Sequence, residues 1–170
     1  MGIAKSTEIT NTEASPPVAN SPALVGGKGR VMKGQFELET GDLDNDDEIR
    51  LAKIPSNASV TRIAVKNDDL DGDATPTLAA NLGVFEAGGT GIKDEDCYAS
   101  AVTTLQSANV TWQDLENEAR DIDECDQAVW QDAGLSKDPG EMLEIGFKLS
   151  ASAATAAAGT LAYLIEYTIE

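Results

Sequence analysis

Apolar and polar residues alternate with a period of two through much of the chain. Such alternation is typical of half-buried β-strands, because successive side chains of a strand point to opposite faces of a sheet. Turn-forming residues separate the first four alternating segments, which predicts a strand meander over residues 29–85. The alternating segments are residues 29–39, 48–54, 59–66, 77–85, 141–150 and 159–170.

The last two alternating segments are interpreted as an antiparallel pair. Residues 141–150 and 159–170 are joined by an alanine-rich linker of small residues. A short linker suits two antiparallel strands that close a β-sandwich. Together with residues 29–85, this pair predicts an all-β fold, an antiparallel β-sandwich of jelly-roll type.

Two regions are candidates for short helices. Residues 94–101 carry acidic residues in the first turn, where the helix dipole favours negative charge. Residues 126–134 would place Val129 and Trp130 inward before a glycine that ends the helix. Residues 108–123 are open between strand and helix. We therefore expect one or two short helices and a minor helical content.

The first 28 residues differ in composition from the rest of the chain. They are rich in Thr, Ser, Asn, Ala and Pro and cannot bury enough apolar surface to form a core. Residues 1–34 carry a net charge of +2, whereas residues 35–170 carry −20. The sequence therefore predicts an extended N-terminal arm, residues 1–28, that reaches from a β-sandwich domain, residues 29–170, onto an acidic neighbour. The alternative is that residues 1–28 are a flexible leader that takes no part in binding a partner.

Composition excludes several classes of function. The 12 basic and 30 acidic residues give a formal charge of −18, which opposes nucleic-acid binding because affinity for phosphates comes largely from Lys and Arg. The chain has no histidine, which excludes hydrolases that use a Ser-His or Cys-His pair. Its apolar runs are shorter than the roughly 18 residues of a membrane-spanning helix. We expect no catalytic residue, no nucleic-acid partner and no membrane partner.

The strongest candidate for a ligand site is the acidic loop of residues 67–73. Its oxygen-bearing residues and its glycine match the start of an EF-hand calcium loop. Leu78, however, stands where that loop needs a bidentate glutamate. We therefore interpret the loop as a hairpin turn and expect no metal or cofactor. The sequence leaves open whether Asp69, Asp71 and Asp73 bind a cation weakly.

Three further features have structural interpretations. The acidic stretch of residues 42–48 is interpreted as a solvated loop. Trp112 and Trp130 are interpreted as core anchors, since 5% aromatic residues leave little surface on which a sugar could stack. Cys97 and Cys125 form one bridge or none, and we predict two reduced thiols because the N-terminus does not resemble a signal peptide.

The order of several segments resembles that of a known family. Over residues 30–170, the chain resembles small structural proteins of tailed-bacteriophage heads, the capsid cement or decoration proteins. The resemblance rests on the pattern and order of segments, and residues 1–28 fall outside it. The segments that carry it are residues 47–60, 78–85, 128–135 and 153–161.

The resemblance implies a compact jelly-roll body on the outer surface of a phage capsid, made in the host cytoplasm. Its implied partners are the major capsid protein and further copies in a homotrimer. A trimer would protect sheet edges and would cover Tyr163, Ile165 and Tyr167 if their face is exposed. The alternatives are a phage tail or neck component and an extracellular β-sandwich module that binds carbohydrate or calcium.

Overall fold

Two antiparallel sheets of four strands each form the body of the protein in this computed structural model. The structure describes residues 5–19, 28–89, 91–117 and 124–169. The strands of these residues are β1 (Lys28–Leu38), β2 (Glu48–Pro55), β3 (Ser59–Asn67), β4 (Ala79–Glu86), β5 (Ile92–Val102), β6 (Asn109–Asp114), β7 (Met142–Ala151) and β8 (Gly159–Ile169).

The strand order identifies the topology. Sheet A has the order β1-β8-β3-β6, and sheet B has the order β2-β7-β4-β5. Nested antiparallel pairs surround the β4–β5 hairpin, because β3 pairs with β6, β2 with β7 and β1 with β8. A long hairpin rolled up in this way is a jelly roll. The predicted all-β sandwich is therefore confirmed.

The predicted pairing of the last two segments is wrong. β7 lies in sheet B between β2 and β4, whereas β8 lies in sheet A between β1 and β3. The predicted meander over residues 29–85 is also wrong, because β1 to β4 alternate between the two sheets. Alternation shows that a strand has one buried face, but it does not show which strand lies beside it.

The core fills the space between the sheets. Ile145 and Phe147 of β7 and Ile165 of β8 are fully buried, and burying each such side chain stabilises the fold by about 1.5–3 kcal/mol. Tyr167 is also in the core, and Tyr163 packs against the core. The trimer was expected to cover this face only if it is exposed, and within one copy Ile165 and Tyr167 are already buried and Tyr163 is half-buried.

Residues 94–101 form part of β5, so the predicted helix is wrong. β5 pairs with β4 along a register that shifts at three points. Tyr98, Ala99 and Val102 are buried, while the acidic residues that suggested a helix N-terminus lie on a more exposed part of the strand. Pairing with β4 therefore outweighs the local helix signal.

The second predicted helix is present but shorter than residues 126–134. It is α2, Val129–Asp132, and Gly134 follows it with a φ of 66°, a left-handed conformation that ends helices. Val129 is buried as predicted, but Trp130 is only half-buried. Within the region that was open between strand and helix, β6 is a strand, and residues 118–123 lie outside the described residues.

The N-terminal arm contains a helix, α1 (Thr7–Glu13), so this part is not extended as predicted. The Ser6 hydroxyl caps the helix by accepting a hydrogen bond from the Ile9 N–H at 3.3 Å. Residues 1–4 and 20–27 lie outside the described residues. No helix in the described part of the chain is long and apolar enough to cross a membrane.

Candidate functional site

Strand β1 forms one edge of sheet A and is largely exposed. It pairs with β8 over eleven consecutive residues, and β8 is its sole partner among the described strands. Seven of its eleven residues are exposed. The second side of β1 therefore presents a row of backbone N–H and C=O groups that can pair with a further strand.

β1 also carries positive charge on an acidic protein. Lys28, Arg30 and Lys33, together with Glu37, give the strand a net charge of +2. The sequence-based interpretation assigned this positive charge to the arm. In the structure the three cations belong to the edge of the sandwich, and residues 1–27 retain one lysine and two glutamates, a net charge of −1.

β6 forms the opposite edge of sheet A. Val110 is 86% exposed, and the Asp114 carboxylate accepts a hydrogen bond from Arg62 Nε at 2.7 Å. Trp112 is half-buried, with Lys66 Nζ 4.8 Å from its ring centroid. Neither Trp112 nor Trp130 lies in the buried core, so the prediction that both are core anchors is wrong.

The edges of sheet B are less regular than β1. β2 has a register shift between Arg50 and Ala52 and ends at Pro55. β5 has three register shifts along its pairing with β4, and a Cβ added to Gly83 would lie 2.1 Å from the Asp94 carbonyl oxygen. Register shifts and prolines at an edge hinder the addition of another strand.

A pocket of about 300 Å³ lies between the end of β1 and the start of β2. Its carboxylates come partly from the acidic stretch of residues 42–48, which is a loop with a turn of 3-10 helix, as predicted in outline. Asp42 accepts a hydrogen bond from the Glu39 N–H, and Asp47 accepts one from the Asp44 N–H, both at 2.9 Å. These carboxylates therefore stabilise turns of their own loop.

Asp71, in the candidate cation loop, is buried and binds backbone groups. Its carboxylate accepts hydrogen bonds from the N–H groups of Thr77, Leu78, Ala154 and Thr155 at 2.7–3.0 Å. Burial raises the pKa of this carboxyl, but the four hydrogen bonds outweigh burial and lower the pKa to about 2. Asp71 therefore holds two loops together at one end of the sandwich.

Asp69 and Asp73 are also engaged within these loops. The Asp69 carboxylate accepts a hydrogen bond from the Asp71 N–H at 3.2 Å, and Asp73 accepts bonds from the Thr75 N–H and the Thr155 hydroxyl. The loop is not the predicted hairpin turn, because it connects β3 of sheet A to β4 of sheet B, but its carboxylates do stabilise turns within the loop, as a structural role requires. Among the described residues, no group of three His, Cys, Asp or Glu side chains converges as metal ligands would. That Asp69, Asp71 and Asp73 bind a cation weakly or not at all stays a prediction.

Both cysteines are free, as predicted. Cys97 lies half-buried on β5, and Cys125 is exposed. Burial raises the pKa of the Cys97 thiol, and the neighbouring carboxylate of Asp94 adds to the effect. A thiol that stays protonated is a poor nucleophile, so the structure offers no activated cysteine at this position.

Two solved phage capsid chains share this fold. A chain of the "Cyanophage Pam1 capsid asymmetric unit" is 22% identical, with a TM-score of 0.59 over 100% of both chains. A chain of the "Capsid of Ralstonia phage GP4" is 21% identical, with a TM-score of 0.58 over 83% of this chain and 85% of that chain. No family model and no curated protein matches the sequence. At these identities the likeness establishes the fold.

Sequence reasoning did not identify the β1 edge as a candidate site. The cations at positions 28, 30 and 33 were visible in the sequence, but their position on an edge depends on the order of strands in sheet A. That order joins β1 to β8, which is more than 120 residues away along the chain. Local pattern carries no information on such a pairing.

Proposed function

We propose that this chain is a structural protein of a phage virion, a cement protein that binds the outside of the capsid and stabilises it. The observation that carries the proposal is the jelly-roll likeness to a cyanophage capsid chain, which extends over the whole of both chains. The resemblance of residues 30–170 to phage cement and decoration proteins supports the same role.

The physical properties of the chain suit this role. A cement protein needs a rigid body and contacts that are weak singly but strong when they repeat over a shell. The sandwich supplies the rigid body, and an N-terminal arm can cross a subunit boundary that the body cannot. The partners we propose are the major capsid protein and two further copies of this chain.

The positions of the cations change the proposed contacts. The arm has a net charge of −1 over residues 1–27, so its grip would come from backbone pairing and apolar contacts. Ile9 and Val18 are 47% and 53% exposed and can supply such contacts. Ile3 and Leu24 are further apolar residues of the arm, and they lie outside the described residues.

Capsid binding tests the proposal. Purified protein is mixed with capsids that lack it, and bound protein is measured by co-sedimentation while capsid disruption is followed on heating. We expect saturable binding and a higher disruption temperature. Bovine serum albumin at the same concentration is the control, and failure of the protein to bind or to stabilise capsids would contradict the role.

The alternative of a calcium-binding module has less support. A cation at Asp71 would have to replace four backbone hydrogen bonds to a buried carboxylate. Leaving such N–H groups unpaired costs about 1–3 kcal/mol each. Calorimetry with calcium tests this alternative, and micromolar binding that is lost on substitution of Asp69, Asp71 or Asp73 would support it.

A further inference from the structure

We propose that β1 of one copy pairs with β6 of a second copy, so that sheet A continues from one molecule into the next. The inference deepens the proposed function, on whose trimer it rests for the number of copies. It names the two strand edges through which copies would join.

The regularity of β1 is the first observation that supports this pairing. Its eleven residues pair with β8 without a register shift, and the strand contains no proline. The edges of sheet B, in contrast, have register shifts and Pro55, and β6 has one register shift, opposite residues 65–67 of β3. Proteins commonly interrupt exposed edges to prevent pairing. A long edge that lacks such an interruption suits the addition of a strand.

Strand direction and exposed apolar side chains identify β6 as the partner. Three antiparallel pairings separate β1 from β6, so the two strands run in opposite directions. In a copy rotated about an axis along the strands, β6 therefore meets β1 in an antiparallel arrangement. Val110 on β6 and Val31 on β1 are 86% and 59% exposed, the highest values for large apolar side chains in the described residues.

Charge distinguishes this pairing from the pairing of identical edges. β1 has a net charge of +2, whereas residues 109–117 contain Asp114 and Glu116 and no cation. Two β1 strands would bring like charges together, which is destabilising across a strand pair, whereas two β6 strands would bring no cation to Asp114. Asp114 already pairs with Arg62 of its own copy at the surface, where a second cation can join the pair.

A contact between two different edges has consequences for assembly. Such a contact is heterologous. It closes into a ring when the rotation between neighbouring copies equals a full turn divided by the number of copies. Three copies would then bury all three β1 edges, which agrees with the proposed trimer. The ring would also leave each jelly roll intact, because the pairing uses groups that point away from β8.

Charge reversal with rescue tests the pairing. Arg30→Glu with Lys33→Glu makes β1 acidic, and Asp114→Lys with Glu116→Lys makes the β6 edge basic. Mass is measured by light scattering after size exclusion over a range of concentrations of the full chain. We expect an assembly of three 17.8 kDa chains for the unmodified protein, and dissociation constants raised about tenfold or more by either reversal. Combining both reversals restores assembly.

Matched controls separate this effect from net charge and from misfolding. Lys53→Glu with Lys137→Glu lowers the net charge by the same amount as the β1 reversal, on exposed residues outside sheet A, and it should assemble normally. Val110→Lys is a second β6 variant that should weaken assembly by itself. Circular dichroism on heating checks that each variant is folded.

Two results would overturn the inference. One is an unmodified protein that stays monomeric at every concentration, and the other is folded β1 and β6 variants that assemble like the unmodified protein. Capsid binding measured in parallel keeps the proposals distinct. A monomer that binds capsids contradicts the edge pairing alone, whereas an assembled ring that fails to bind capsids contradicts the capsid role alone.

Discussion

The Asp71 carboxylate joins two loops that are far apart in the sequence. One loop precedes β4 and supplies the N–H groups of Thr77 and Leu78, and the other precedes β8 and supplies those of Ala154 and Thr155. Hydrogen bonds to a charged acceptor are stronger than neutral ones. A single buried side chain therefore fixes one end of the jelly roll.

Asp71→Asn should lower the free energy of unfolding by about 2–4 kcal/mol. The substitution removes the charge and turns an amide NH₂ toward backbone N–H groups that need an acceptor. Urea denaturation measures the change. Asp44→Asn, at an exposed position in another loop, is the matched control and should change the free energy of unfolding by less than about 0.5 kcal/mol. Equal effects of the two substitutions would contradict this role of Asp71.

The Asp71 carboxylate should also contribute to the pH dependence of the free energy of unfolding. The pKa of Asp71 falls from its ordinary value of 3.8 to about 2 in the folded protein. A carboxyl with a lowered pKa stabilises the fold fully above 3.8, and this contribution, about 2 kcal/mol, is lost as the pH falls from 3.8 through about 2. Melting temperatures between pH 5 and pH 2 should therefore fall more steeply for the unmodified protein than for Asp71→Asn. Parallel curves would contradict the assignment.

Gly83 of β4 lies close to the backbone of the neighbouring strand β5, at a shift in their register. A Cβ at this position would meet backbone atoms of Asp94 and Glu95, which cannot move aside as a flexible side chain would. We expect Gly83→Ala to destabilise the protein by about 2 kcal/mol or more. Gly41→Ala, with no atom within 4 Å of the added Cβ, is the control and should melt close to the unmodified protein.

At the scale of elements, alternation predicted most strands because their buried faces are continuous. β7, for example, carries Leu143, Ile145, Phe147 and Leu149 in the core, and buried residues at every second position are typical of a strand. The acidic residues of β5 gave a misleading helix signal, because its pairing with β4 is a tertiary effect. β7 and β8 lie in opposite sheets because their partner strands, β2 and β4 for β7 and β1 and β3 for β8, are distant in the sequence.

The N-terminal arm is an element whose role can be isolated. Over about 28 residues, with seven of them helical, its reach is on the order of 80 Å. This length can still bridge subunits of a shell. α1 packs against the described strands to little extent, so the sandwich should fold without it.

Deletion of residues 1–27 should leave thermal unfolding of the sandwich nearly unchanged. It should also reduce the protein bound per capsid and the resistance of capsids to heat, because the arm supplies contacts that the body cannot reach. Binding is measured by co-sedimentation with capsids. A truncated protein that binds and stabilises capsids as well as the full chain would show that the arm is only a leader.

At the scale of the whole molecule, the charge is unevenly distributed. Residues 28–170 carry a net charge of −17, yet the β1 edge carries +2. Acidic bodies repel one another in general, whereas under the proposed pairing the basic edge admits an acidic neighbour in one orientation. The same distribution suits a protein that repeats over a shell without binding nucleic acid.

The position of the chain in virions tests the central proposal most directly. A density map is determined from virions of the phage that encodes the chain, and the jelly roll is fitted into it. We expect density for the sandwich on the outer surface of the capsid, with the arm extending onto an adjacent subunit. Virions that lack the chain, or that hold it inside the shell, would contradict the account.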